Sequence, residues 1–304
     1  MVVGSATDAA KGIIHFMNVP ESVVYAGLVK GIEAIVGEIT MRGSSDDKEN
    51  LDYVLNQRAG SSTKRFANGI RDCDTDGELL PDRINEDGEG MAFSDFATHP
   101  HANLAGLSEA HVLALRLYTT STFKSLNEPL RMGINNRSPH PFPITMKFIT
   151  EAIKQLRAVS ASEHDRGSTV GTMNSSNLSG RNSGNMSVKE REEQSSGPKR
   201  RSTMAANRPV ILWRGLRDMA ISPEFEENGG TELAPMSTTR SLEIALQYSA
   251  SISSVLIRLH TSTFMQRGAD LTFLSAFPME NEILFPPLTY LEITRVHRMD
   301  VDDT

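Results

Sequence analysis

The stretch Leu271-Thr-Phe-Leu-Ser-Ala-Phe-Pro-Met-Glu-Asn-Glu-Ile-Leu-Phe-Pro-Pro287 decides how this chain is read. Ile283, Leu284 and Phe285 are an apolar run of the kind that opens a buried strand, and Pro286 and Pro287, which cannot donate to a sheet ladder, close it. Side chains on a strand alternate faces, so Glu280 and Glu282 are expected on one face at the strand entrance, beside the irregular segment Ser275 to Met279. Paired carboxylates serve a reaction that builds positive charge on a sugar ring and also removes a proton. Repulsion in a poorly solvated site would raise one of the two pKa values. Taken alone, such a pair is more often a solvated strand edge, and the rest of the chain has to decide.

The 304 residues, 38% of them hydrophobic, suffice for one large domain or two ordinary ones. A net charge of -7 argues against a nucleic-acid surface or an anionic-membrane surface covering the fold. The single cysteine, Cys73, excludes an internal disulfide framework, and no Cys/His cluster has zinc-ligand spacing, so no metal is expected. Met1 to Ala10 lacks a basic region followed by an apolar run, and no stretch approaches the roughly 18 apolar residues of a membrane span. The expectation is a monomeric cytoplasmic protein, or one exported by a route that needs no such signal.

Along the chain, Pro20 to Thr40 carries Val24, Leu28, Ile32, Ile35, Val36 and Ile39 at helical intervals and is expected to pack on its own domain. Leu51 to Asn56 and Arg65 to Ile70 read as short helices. Asp72 to Gly90 reads as a solvated acidic loop without the calcium-loop order. His99-Pro-His101 reads as a turn. Ser108 opens a helix through Tyr118, a Thr/Ser cluster interrupts it, and Phe148 to Leu156 reads as a further helix. Residues 158–208 are Ser/Gly/Asn-rich with no aromatic residue and are expected to be disordered. Strands are expected at Pro209–Trp213, Leu233–Thr239, Ser254–Leu259, Glu282–Phe285 and Tyr290–Val296. A helix is expected at Ser241–Ser249, with Leu242, Ala245, Leu246 and Tyr248 toward the core.

Arg214 at a strand end, Ser237-Thr-Thr239 leading into a helix, and Glu280-x-Glu282 before Ile-Leu-Phe-Pro-Pro are weak signals singly. In this order they resemble the Arg, Ser-Thr-Ser, Glu-x-Glu signature of the arginine-specific mono-ADP-ribosyltransferases, in their toxin-like and ecto-enzyme branch. The match spans about residues 105 to 296, because Leu117 to Asn127 also looks like the family's Tyr-Thr helix region. It departs from the pattern at Thr239, where the family has Ser, and at Leu288, where Pro-Pro-Gly is usual.

The resemblance implies an α+β, ADP-ribosyltransferase-like fold of two packed β-sheets forming an NAD cleft. It places a catalytic domain at 105–304, interrupted by the 158–208 insertion and preceded by a helical region at 1–104. It implies that Arg214 grips the NAD phosphates and ribose, and that Gly215 allows close approach of backbone. Ser237 holds the nicotinamide ribose and orients Glu282, with Thr238 beside it. Glu282 binds the ribose 2'-hydroxyl and stabilises the oxocarbenium ion, and Glu280 positions or deprotonates the acceptor guanidine. Tyr118, Phe123 and Asn127 fall where the family contacts the dinucleotide, and Phe277 where an aromatic recognises the target. The implied partner is a protein with an acceptor arginine, without nucleic acid, membrane or metal. Alternatives are an NAD glycohydrolase using water as acceptor, and a catalytically inactive module of the same fold that binds a partner.

Overall fold

Gly31 sits at φ 59°, backbone that a side chain resists, and so divides the first apolar run into α1 (Glu21–Lys30) and α2 (Ile32–Arg42). Val24, Ile35 and Ile39 are fully buried, and Leu28, Ile32 and Val36 pack against the same core. The computed structural model describes residues 12–132, 138–167, 210–251, 253–261 and 266–298, with backbone only at 160–167. The helix expected from Leu51 is α3 (Ser45–Asn56), which starts earlier because Ser44 and Asp47 form a reciprocal capping box.

Arg65 to Ile70 is not helical. It forms a hairpin of β1 (Arg65–Phe66) and β2 (Gly69–Ile70), in which Phe66 pairs with Gly69 at φ 113°. The reversal through Ala67 and Asn68 needs that glycine, and this local requirement outweighs the helix-forming residues before it. His99-Pro-His101 is likewise a helix start and not a turn. Between α4 (Phe93–Ala97) and α5 (Pro100–Ala105), His99 caps α5 and Pro100 takes its first position. Both imidazoles stack on Phe273, at 4.9 and 5.5 Å between centroids. Among the described residues no three His, Cys, Asp or Glu side chains gather as a metal site.

The acidic segment after Ile70 is only partly solvated. Asp74 Oδ1 accepts main-chain N–H bonds from Asp76, Gly77 and Glu78, each at 2.9 Å, and Asn85 Oδ1 accepts from Asp87 and Glu89. Asp72, by contrast, is fully buried, and it accepts from Arg116 at 2.6 and 3.2 Å, from Arg83 at 3.2 Å and from Tyr53. Arg116 also donates to the main-chain oxygen of Leu274, Arg83 to those of Thr272 and Ser275, and Asp72 N–H to that of Ala276. Asp72, Arg83 and Arg116 thereby hold the segment that leads to Glu280.

Ser108 caps α6 (Glu109–Tyr118), and α7 (Phe123–Arg131) follows the Thr/Ser break. Next, α8 (Pro143–Gly167) overruns the expected Phe148–Leu156 at both ends. Its C-terminal part takes in 158–167, because extending an existing helix costs far less than starting one. The remaining disorder expected at 168–208 lies outside the described residues.

The strands follow: β3 (Val210–Arg217), β4 (Gly230–Glu232), β5 (Met236–Thr239), β6 (Ser254–Thr261), β7 (Ala269–Asp270), β8 (Glu282–Phe285) and β9 (Thr289–Leu291), with α9 (Pro223–Asn228) and α10 (Leu242–Tyr248) between them. An antiparallel sheet runs in the order β6-β3-β5-β8-β7, and β4 pairs with β9 in a second, two-stranded sheet. Leu291 of β9 packs with Leu212, Met236, Ile283 and Phe285 of the larger sheet, so a small core fills the space between them. The fold is mixed α+β with antiparallel sheets. A larger core runs from Ile13 to Leu284 and joins the N-terminal helices to β7 and β8.

Three expectations about this region are corrected. The strand expected from Leu233 starts at Met236. The one expected through Val296 ends at Leu291, because its partner β4 begins at Gly230, after Gly229 at φ 68°. Leu242, Leu246 and Tyr248 are 41%, 50% and 41% exposed, and of the four residues expected inward only Ala245 is buried. The main chain of α10 presses directly on β3, so the contact is made by small groups and leaves the large side chains at solvent. Among the described residues no helix is long and apolar enough to cross a membrane.

Candidate active site

The whole of β8 is buried, and its first residue, Glu282, is 6% exposed. Glu282 lies across the ladder from Thr239, and Ser237, two residues back on the same face of β5, stands diagonally from it. Burial, reinforced by the charge of Glu280, pushes the Glu282 carboxyl up to about 8, against the Ser237 hydrogen bond and the Arg214 guanidinium, which lower it. Burial and the Glu282 charge also raise the Tyr118 phenol. Tyr118 donates to the main-chain oxygen of Pro235 at 3.0 Å and accepts from Asn127 Nδ2 at 3.0 Å. The Oδ1 of Asn127 is buried without a hydrogen-bond partner. Phe123 is 39% exposed and tilts against Tyr118 at 6.4 Å between centroids.

Arg214 extends from the middle of β3 and donates from Nη1 to the main-chain oxygen of Ser237 at 2.8 Å, while Nη2 faces Glu232 at 3.5 Å. Glu232 also receives Arg131, at 3.1 Å, so it stands between two guanidinium groups. The neighbouring Gly215 is required by packing. A Cβ there would lie 1.9 Å from the main-chain oxygen of Ala245 and 2.8 Å from the Ser249 nitrogen, so the backbone that approaches it is that of α10. Thr238 is turned into the sheet, with its hydroxyl on the main-chain oxygen of Ile283 at 2.8 Å.

Glu280 is not on the strand. It ends a 3₁₀ turn, Pro278–Glu280, and Asn281 at φ 49° separates it from β8, so strand alternation does not relate the two carboxylates. The left-handed residue brings them together instead, close enough for the charge of Glu280 to act on Glu282. Thr239 fixes this geometry by donating to the main-chain oxygen of Glu280 at 2.7 Å. Glu280 Oε1 accepts from Asn68 Nδ2 at 3.0 Å and from the Tyr248 hydroxyl. Burial raises its pKa, and these two donors act the other way. Phe277 is 5% exposed and packs edge-on against Phe66 of the hairpin at 5.7 Å.

Arg214, Ser237 and Tyr118 therefore surround the buried carboxyl group of Glu282, with Glu280 at its side and Asn127 behind Tyr118. Phe277 and Thr238 face into the protein. The sequence reading missed Asn68, Tyr248, Glu232 and Arg131. Asn68-Gly69 carried a turn signal that would have exposed the hairpin, whereas nothing local marks Glu232 as the partner of Arg214. A groove of about 500 Å³ lined by Leu28, Gly31, Ser108 and Phe148 involves none of these residues.

No protein-family model matches this chain, and no curated protein matches it. Among solved structures, the crystal structure of the ADP-ribosyltransferase HopU1 of Pseudomonas syringae pv. Tomato DC3000 is similar over 70% of this chain and 84% of that chain, with 15% identity and a TM-score of 0.43. A likeness of that size assigns no role to any residue.

Proposed function

We propose that this chain transfers ADP-ribose from NAD to a guanidine, that of an arginine side chain in a target protein, and releases nicotinamide. The observation that carries the reading is Glu282, a buried carboxyl group with Ser237 diagonal to it across the sheet, and with the charges of Arg214 and Glu280 acting on it. Such a group keeps its proton when buried and gives it up when a positive charge stands against it, as the nicotinamide ribose of NAD would provide.

The residues present fit the dinucleotide. Arg214 is partly buried, with its side chain 12% exposed, and uses its fork on only one carbonyl and one carboxylate, so N–H groups remain for phosphate oxygens. The unpartnered Asn127 Oδ1 would accept a hydroxyl or amide proton. NAD supplies the electrophile, its anomeric carbon. As the bond from that carbon to the nicotinamide nitrogen breaks, the electron pair leaves with nicotinamide, and Glu282 in its ionised form stabilises the positive ribose. Ser237 holds the Glu282 carboxylate in place. A guanidine nitrogen then bonds to the anomeric carbon, and the proton it sheds passes to Glu280.

The test is incubation of the purified chain with labelled NAD and arginine-containing protein. The reading expects label on arginine together with nicotinamide release. Nicotinamide release with no labelled protein would favour water as the acceptor, and absence of both would refute the reading.

A further inference from the structure

Glu280 carries two donors on one oxygen and none on the other. Asn68 Nδ2 and the Tyr248 hydroxyl both meet Oε1, and no group among the described residues donates to Oε2 or pairs the carboxylate with a cation. Both donors are uncharged, so they orient the carboxylate without neutralising it and leave Oε2 open to a further donor. Asn68 comes from the turn between β1 and β2, 212 positions from Glu280 and outside residues 105–296. The hairpin is firmly seated. Phe66 packs on Phe277 at 5.7 Å, the Arg71 guanidinium covers the Phe66 ring at 4.4 Å, and Asp72 N–H bonds the main-chain oxygen of Ala276 at 2.7 Å.

We propose that Asn68, with Tyr248, is a positioning residue for the acceptor step, and that the β1–β2 hairpin thereby selects a cationic planar acceptor at Glu280 Oε2. The inference rests on the transferase reading above. It adds that the N-terminal region completes the acceptor side of the site and is more than a support for the sheet. A guanidinium suits the arrangement because its N–H fork can meet a single fixed carboxylate oxygen while its charge compensates the half-buried Glu280.

The test uses the full chain, labelled NAD, and agmatine as a small guanidine acceptor, with adduct formation and nicotinamide release measured together. Loss of one hydrogen bond to a charged group corresponds to roughly a 10- to 100-fold effect. Asn68→Ala is therefore expected to lower kcat/KM for agmatine by about that factor, chiefly through the KM for agmatine, and to shift the ratio of adduct to free nicotinamide toward hydrolysis. Tyr248→Phe, which keeps the ring and deletes only the donor, is expected to show the same signature, and melting curves of both variants report any general loss of fold. Transfer undiminished in both variants, or transfer and release falling in equal proportion, would overturn the inference while the transferase reading stood. A wild-type chain that forms no agmatine adduct would remove the reading beneath it as well.

Discussion

Arg214 donates to the main-chain oxygen of Ser237 at 2.8 Å, and Ser237 shares a face of β5 with Thr239, the residue across the ladder from Glu282. Guanidinium, hydroxyl and carboxylate are thus registered by three neighbouring strands of one sheet, β3, β5 and β8. Moving any one strand would disturb all three groups.

Arg214→Lys keeps the charge but cannot engage Ser237, Glu232 and a phosphate together, because an ammonium lacks the planar fork. NAD affinity is expected to fall at least about tenfold, or about 1.4 kcal/mol, as measured by calorimetry. An unchanged dissociation constant would remove Arg214 from the phosphate site.

The raised pKa of Glu282 links stability to pH. An unfolded chain loses this proton near 4.5, whereas the folded chain keeps it until about 8. Between those values the folded state binds the extra proton, so stability falls as pH rises through the window and levels off above it. Glu282→Gln abolishes this contribution. Denaturant unfolding from pH 5 to pH 9 should show a shallower decline for the variant and greater stability than wild type at the alkaline end. Parallel curves would mean that Glu282 is ionised throughout.

Asp72→Asn removes the charge shared by the buried Arg83 and Arg116. Breaking a buried pair on one side costs about 3 to 5 kcal/mol, and urea titration should show a loss of that order. Because both arginines also hold the main chain at Thr272 and Leu274, the same variant should lose transfer activity before it unfolds. A loss under about 1 kcal/mol would show that the network is not what fixes this segment.

Gly215→Ala separates two roles for the glycine. With Ala245 main chain 1.9 Å from the new Cβ, α10 must move, and a destabilisation of about 1 to 3 kcal/mol is expected. Weakened NAD binding with unchanged melting would instead assign Gly215 to the cleft.

The sequence displays the sheet because burial leaves its mark there. Ile283 to Phe285 and Val210 to Trp213 are apolar runs bounded by prolines or polar turns, and Ser108 announces its helix by capping. The hairpin at Arg65 to Ile70 is marked only by its Asn68-Gly69 turn, because four paired residues carry no periodicity. The relation of Glu280 to Glu282 also depends on a single dihedral, the left-handed Asn281, and strand alternation gives the right neighbourhood for a wrong reason. Asn68, Glu232 and the Asp72 network depend on contacts between segments far apart in the chain, which no local pattern encodes.

The most direct test of the central claim compares binding and turnover of NAD in Glu282→Gln. The carboxylate is assigned to the charge that develops as nicotinamide departs, so its loss should act mainly in the transition state. Calorimetry should find NAD bound within a few-fold of wild type, while the saturated rate of nicotinamide release falls on the order of 10² to 10³, or roughly 3 to 4 kcal/mol. A variant that binds NAD poorly yet releases nicotinamide at the wild-type rate when saturated would contradict the account.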